Sequence, residues 1–475
     1  MSTMQAQSLV GPSAKSGEAA IKQLEHLLQS LESNLETLRL SLKEQQDALS
    51  QIKALGRDVK TATPIFNKQA ISVLSRYGLD AQETSEASRE ALRCLANAFL
   101  LHEPSRQVFV DLGYAPKAAE RLKGESSDDE FLVSRILFYL TYGTDLNFNA
   151  LIDHNGLAGS INLHIARHAK LYSKDARRRS TSTIDHEAAM SETCKLVFNI
   201  TYHYPDSVSK FTPVIEPLIT ALLQHTLPEP PLQPPTSYLL NALLNLDLKA
   251  AENDREAQPS PMFTSSDAES FVDRLISILD SAIRKQPESE LDQAAAPLCT
   301  LLRRLYELAT PPMKEFMRSL LLPKEKDRER PLGQGDTLSS RLLRLSNSPK
   351  LPNLRGNISA LLFEMSDKDA TKFVQNIGYG FASGFLMSQN IEIPSTALEA
   401  NSAAQSDYVD STAHVNPVTG QRWAAEDCDA SNAVPMSEEE KEREAERLFV
   451  LFERLKATGV VNVKNPVERR FEEVE

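Results

Sequence analysis

Three runs in this 475-residue chain carry a cation or amide four positions ahead of a second polar residue, inside otherwise apolar sequence. They are Arg93 and Asn97 in ALRCLANAFLL, Lys195 and Asn199 in CKLVFNI, and Asn241 and Asn245 in SYLLNALLNL. Residues four apart share one helix face, so each pair makes a polar strip on a helix whose other sides suit burial. The chemistry such strips offer is recognition, because an amide presents donors and an acceptor to the backbone of a bound segment. Arg135 with Tyr139 and Arg304 with Leu308 repeat the spacing imperfectly. A lone Asn in an apolar helix also serves simply to bond a neighbouring loop, and that reading stays open for each.

Covalent chemistry finds no comparable signature. The sequence contains no Walker A loop, no G-x-G-x-x-G after a strand and no G-x-S-x-G elbow, and the His186–Glu187 pair continues Ala188, Ala189, Met190 rather than H-E-x-x-H. His164 and His168 stand one helical turn apart and could clamp a metal, but no carboxylate or cysteine companion is evident and Arg167 and Lys170 point to a solvated basic face. The glycines at 333 and 335 and at 378, 380 and 384 lack the preceding strand a phosphate cradle requires, and read as loop and packing glycines. Arg177, Arg178 and Arg179 ahead of Ser180 resemble a basophilic kinase site in an exposed charged loop.

The elements that must position the strips are helices. The composition is globular, 41% hydrophobic and 25% charged, and no apolar stretch approaches the roughly 20 residues of a membrane span. The N-terminus lacks the layout of a secretory signal, and Gly11 is too far in for myristoylation, which implies an intracellular protein. Cys94, Cys194, Cys299 and Cys428 lie far apart, the first three in apolar helical contexts typical of buried thiols, so no disulfide or zinc framework is implied. A net charge of −13 disfavours nucleic acid and anionic lipid and suits a partner with a basic patch.

From about Pro64 to Asn390 amphipathic helices follow one another with almost no strand signal, centred near 97, 140, 199, 245, 305 and 362. A spacing of roughly 40 to 60 matches armadillo or HEAT units with loop insertions, and such units bury their faces only by stacking. Residues 1–63 form an N-terminal helical segment in which Ile21, Leu24, Leu28, Leu31, Leu35, Leu38, Leu42, Leu49 and Ile52 follow a heptad broken at Gln45. It reads either as a coiled coil or, since Leu27 and Leu40 widen the stripe, as a hairpin capping the solenoid. Residues 391–436 are polar and Ser-, Ala- and Asp-rich, a mobile linker by composition. Residues 437–475 open on the capping box of Ser437 and Glu440 and carry an apolar stripe of Leu448, Leu451, Phe452 and Leu455 with Phe449 alongside. The expected fold is therefore all-α: an armadillo/HEAT-like solenoid over 64–390, a flexible linker and a terminal amphipathic helix.

The stretches LRCLANAFLLHEPSR, KLVFNITYHYP, the run from GDTLSSRLLRLSNSPK to FASGFL, and above all HVNPVTG and MSEEEKEREAERLFVLFERLKATGVV resemble the synembryns, the resistance-to-inhibitors-of-cholinesterase family, in its fungal form. The resemblance runs from about Phe66 to Val461. It implies a solenoid whose concave face holds the C-terminal helix of a G-protein alpha subunit, acting as receptor-independent exchange factor and folding chaperone. On that basis Arg93, Asn97, Arg135, Lys195, Asn199, Asn241 and Asn245 are expected to line the groove, and Leu448, Phe449, Leu451, Phe452 and Leu455 to touch the partner's Ras-like domain. A cytoplasmic monomer recruited to the cell cortex, without cofactor, is implied. Animal members resemble one another in an acidic, serine-rich linker; here the region near Ser406 has only Asp407 and Asp410, and Ser126, Ser127 and Ser437 have better acidic contexts. An armadillo-type adaptor that binds extended peptides is the alternative, although its mark, repeated Trp beside Asn, is missing: Trp423 is the single tryptophan.

Overall fold

The structure is a computed structural model that describes residues 14–80, 85–172, 186–249, 268–392, 415–416, 418–425 and 443. Its helices are α1 (Ala14–Thr37), α2 (Leu42–Leu55), α3 (Lys68–Leu79), α4 (Glu86–Leu101), α5 (Pro104–Asp111), α6 (Ala115–Arg121), α7 (Ser127–Leu140), α8 (Phe148–Asn155), α9 (Leu157–Leu171) and α10 (His186–His203). There follow α11 (Ile215–Gln224), α12 (Thr236–Leu243), α13 (Ala268–Lys285), α14 (Glu288–Leu308), α15 (Pro311–Leu321), α16 (Leu338–Ser346), α17 (Pro352–Met365), α18 (Ala370–Ile377) and α19 (Tyr379–Ser388). Short 3-10 turns occupy Thr63–Phe66, Pro205–Val214 and Glu325–Glu329. The breaks follow the local chemistry: Asn67, Ser85, Ser126, Asn147, Thr337 and Asp369 each accept a backbone N–H as N-cap, and Gly156, at φ 71°, turns the chain from α8 into α9.

Seven helices stack side by side in chain order to make one continuous layer: α2, α4, α7, α10, α12, α14 and α17. The remaining helices back this row, α9 against α11, α11 against α13 and α13 against α15. A single hydrophobic cluster runs from Leu24 to Leu386 through every repeat, so each unit is stable only against its neighbours, which is the physics of a solenoid. This is the all-α architecture of the armadillo/HEAT type.

The leucine-rich start divides into two helices, α1 and α2, that pack on each other and on α3 and α4. Leu24, Leu28, Leu31, Leu49 and Ile52 are buried against the first repeat, whereas the heptad positions Leu38 and Leu42 are 81% and 70% exposed at the turn. Asn34 fixes that turn: its Oδ1 accepts the Leu40 N–H at 2.7 Å and its Nδ2 donates to the Tyr77 hydroxyl at 2.8 Å. The Ser41–Glu44 capping box then starts α2.

Two expectations need correction. Within the segment read as a linker, residues 415–416 and 418–425 are docked on the far end of the solenoid, because a buried arginine and several backbone amides there bond to them. His164 and His168 do not form a solvated basic face; they are 4% and 1% exposed. The terminal segment 437–475, including Leu448, Phe449, Leu451, Phe452 and Leu455, lies outside the described residues, apart from Arg443; so do Arg177, Arg178, Arg179, Ser180 and Cys428. Cys94, Cys194 and Cys299 are buried free thiols, and burial pushes the Cys299 thiol up to about 12.

Candidate partner-binding surface

The seven groove candidates all fall on the continuous helix row. Arg93 and Asn97 sit on α4, Arg135 on α7, Lys195 and Asn199 on α10 and Asn241 on α12, with Asn245 just beyond its end. Sequence spacing alone places members of a pair on one face; the stacking of α4, α7, α10 and α12 brings the pairs together.

Their cations are joined in ion-pair ladders. On the first repeats Lys53 and Arg93 both bond Glu90, at 2.7 Å each, and Arg93 also reaches Glu86 at 2.7 Å. Further along, Arg135 of α7 and Lys195 of α10 share Glu192, each at 2.6 Å. Lys195 also lies over the rings of Phe138 and Tyr238, 5.0 and 5.4 Å from their centroids, and so bridges α7, α10 and α12. Arg135 stacks on Phe131 at 4.3 Å. These cations are half-buried rather than sealed, so a ligand that brings its own carboxylate or carbonyl oxygens can compete for them.

The amides behave differently from one another. Asn97 Nδ2 reaches the Lys53 carbonyl in the last turn of α2 at 3.4 Å, Asn199 Nδ2 donates to the Thr141 hydroxyl at the end of α7 at 2.7 Å, and Asn245 Nδ2 donates to the Phe198 carbonyl of α10 at 3.2 Å. Arg304 on α14 repeats the pattern, bonding the Leu244 and Leu246 carbonyls beyond α12. Each repeat thus satisfies carbonyl or hydroxyl groups toward the C-terminal end of the preceding inner helix, where a helix leaves acceptors without intrahelical donors. Asn199 is corrected on this ground: it is 3% exposed, its amide is committed to Thr141, and it ties α7 to α10 instead of facing a groove. Asn97, Asn241 and Asn245 are half-buried, and the Asn241 side chain makes no hydrogen bond among the described residues.

Beside these strips lies an aromatic shelf that strip spacing does not reveal. Phe138, Tyr139 and Tyr142 of the α7 end meet Phe198, Tyr202 and His203 of the α10 end through a chain of ring contacts 5.1–6.3 Å between centroids. Tyr142 is 44% and Tyr202 65% exposed. The sequence signal was present in NITYHYP, but only the side-by-side packing of α7 and α10 makes it a surface.

Beneath the row, Glu130 of α7 is enclosed by α9 and α10. Its carboxylate accepts from His168 Nε2 at 2.9 Å, from Arg167 at 2.8 Å and from the Thr193 hydroxyl at 2.8 Å, with His164 Nδ1 at 3.0 Å. Burial opposes its ionisation, but the bonds from His164 and His168 outweigh it and hold the carboxyl far below the usual range. The carboxylate companion that His164 and His168 lacked in sequence is therefore Glu130, 34 residues upstream of His164, and the ensemble is a cross-brace between repeats. Among the described residues no group of three or more His, Cys, Asp or Glu is arranged to hold a metal ion. Ser126 is the half-buried N-cap of α7, and Ser127 is buried and bonded to the His186 ring at 3.0 Å, so Ser127 is not presented for modification.

Residues 48–474 match the family described as the guanine nucleotide exchange factor synembryn. The chain belongs to the synembryn family. A synembryn-like chaperone of Schizosaccharomyces pombe is 26% identical over 303 residues, covering 61% of this chain and 56% of that protein, so the chain spans about half of that relative. The chaperone Ric-8A of Xenopus tropicalis is 24% identical over 450 residues, 88% of this chain and 82% of its own length. A designed armadillo repeat protein superposes with a TM-score of 0.34 at 12% identity, over 71% of this chain and 99% of its own. The synembryn match begins inside α2 and takes in the inner row, the docked segment 415–425 and the terminal stripe. No helix of the described residues is long and apolar enough to cross a membrane.

Proposed function

We propose that this synembryn is a receptor-independent guanine-nucleotide exchange factor and folding chaperone for G-protein alpha subunits, working as a monomer in the cytoplasm with recruitment to the cell cortex. The observation that carries the reading is the inner row itself. Half-buried Arg93, Asn97, Arg135, Lys195, Asn241 and Asn245 lie on adjacent helices beside the partly exposed Tyr142 and Tyr202, a mixed polar and aromatic surface suited to a helical segment. In this reading the occupant is the alpha subunit's C-terminal helix, while Leu448, Phe449, Leu451, Phe452 and Leu455 of the terminal segment grip the Ras-like domain.

Exchange on this surface needs no covalent step. A factor that binds the empty alpha subunit more tightly than the loaded one weakens nucleotide binding by the same ratio. If nucleotide is held at nanomolar affinity, about 12 kcal/mol separates bound from free, so the row must draw on an element that braces the nucleotide site. Withdrawing the partner's last helix from its sheet does this, and incoming GTP reverses it. The same grip covers apolar surface on a nascent alpha subunit, which is the chaperone role.

The decisive measurement is GDP release from a purified alpha subunit with and without this protein. Acceleration and capture of the nucleotide-free subunit are expected; neither appearing refutes the proposal.

A further inference from the structure

The turn between α1 and α2 places a leucine at its least accommodating position. Leu38 follows the last residue of α1 with φ 51°, in the left-handed region where Gly or Asn sits without strain and a larger side chain crowds its own backbone. Its N–H closes α1 on the Asn34 carbonyl at 2.8 Å, a bond that a glycine would make equally well. The side chain is more exposed than any other large apolar residue described, so the strain serves no packing inside the molecule. Leu40 turns inward onto the core, and Leu42, the first residue of α2, stands out again into solvent.

Two cations flank these leucines, and the nearby acids are engaged elsewhere. Arg39 and Lys43 are exposed and make no ion pair or hydrogen bond among the described residues. The Glu44 carboxylate is turned back on the backbone, accepting the Ser41 N–H at 2.8 Å and the Ser41 hydroxyl at 2.7 Å. Glu36 lines a cleft that also holds Lys68 and Arg76 of α3. The result is a convex tip of two bare leucines and two free cations, held in shape by Asn34 and the capping box. The chain's excess of negative charge lies mainly after position 390, where 18 acidic residues stand against 9 basic ones. A charge further away than the Debye length, about 8 Å at physiological salt, contributes little at the tip.

We propose that the α1–α2 turn is a membrane-docking tip, in which Leu38 and Leu42 enter the acyl boundary of a bilayer while Arg39 and Lys43 meet anionic headgroups. A protruding apolar pair needs a partner that yields around it, and lipid does so without a matching pocket. Charge complementarity selects the surface: each cation strengthens binding to an anionic leaflet about fivefold, so the two together give about thirtyfold over a neutral one. Two leucines offer less apolar area than one acyl chain, so the attachment is reversible. This rests on the cortical-recruitment part of the proposed function and supplies its chemistry, at the first-repeat end of the solenoid.

The test is cosedimentation of the full chain with lipid vesicles, one set of phosphatidylcholine alone and one of equal parts phosphatidylcholine and phosphatidylserine. Binding to the anionic set should be about thirtyfold stronger. Arg39→Gln with Lys43→Gln should remove that preference and leave binding to the neutral set unchanged. Leu38→Asn with Leu42→Asn should weaken binding to both sets at least about tenfold. Its melting temperature should hold, because Asn tolerates the left-handed turn and neither leucine is buried. No binding by the native chain, or native-strength binding by the leucine variant, overturns the proposal. So does a native oligomer in light scattering that the leucine variant dissociates, which assigns the tip to a second copy of the chain. Should the leucine variant melt early, the cation variant decides, and an undiminished anionic preference overturns the tip. No alpha subunit is present, so failure here leaves the exchange reading standing, and failure of GDP release leaves the tip standing.

Discussion

At the scale of single residues, Glu130 shows how a solenoid is braced from within. Its carboxylate joins α7 to α9 through Arg167 and His168 and to α10 through Thr193. Glu130→Gln leaves the Arg167 guanidinium without its counter-charge, and a loss of about 3 kcal/mol is expected by chemical denaturation. The pH dependence has a definite sign. Because the folded carboxyl titrates below its unfolded value of about 4.3, its contribution is complete above that pH and is lost as pH falls toward the folded value. Melting temperature should therefore drop steeply below pH 5 in the native chain and more shallowly in Glu130→Gln. His225 adds an earlier, gentler slope: burial lowers its pKa, and the neutral ring is bonded to Ala221 and Thr236, so its contribution is full above about 6.5 and declines below. The amides separate by burial. Asn199→Ala should cost about 1 kcal/mol of stability by orphaning the Thr141 contact, whereas Asn241→Ala should leave stability unchanged and weaken partner binding. Equal losses of stability in both would contradict that division.

At the scale of elements, the first helical pair is a lid on an open core edge. Leu24, Leu31, Leu49 and Ile52 are fully buried, and removing residues 1–63 would expose the apolar faces they cover on α3 and α4. A chain shortened in this way should aggregate on light scattering. The exposed Leu38 and Leu42 test the coiled-coil alternative: Leu38→Glu with Leu42→Glu should alter neither mass nor melting temperature, while dissociation of an oligomer would restore that alternative. The heptad in the sequence is a by-product of two helices whose buried stripes happen to continue in register across the turn at Leu38, where φ is 51°. Helix periodicity was legible because it depends on neighbours within a few positions, and the approximate repeat spacing followed from it. The docking of 415–425 was not, because its composition is that of a polar linker and its partners, Arg328 and Leu332, are some 90 residues away.

At the scale of the whole molecule, the net charge of −13 acts at long range, and most of it is carried by the residues after 390 rather than by the repeats. Association with a basic partner surface should be steered by that field, so its on-rate should fall several-fold between about 0.05 M and about 0.5 M salt as the Debye length shortens. A dissociation rate that carries the whole salt effect would argue against steering.

What the sequence determined by itself was local and periodic: helices, the repeat spacing and the family-bearing stretches near both ends of the match. Those signals survive in a one-dimensional string because a helix sorts residues by positions three and four apart. Tertiary structure alone decided which polar residues are spent inside the molecule and which remain available. Asn199 and Asn241 are alike in the string, yet one is sealed against Thr141 and the other half-exposed, and the pair His164 and His168 found its carboxylate on another helix. Burial and partnership depend on how stacked helices meet, and that is set by contacts between repeats 30 to 90 residues apart.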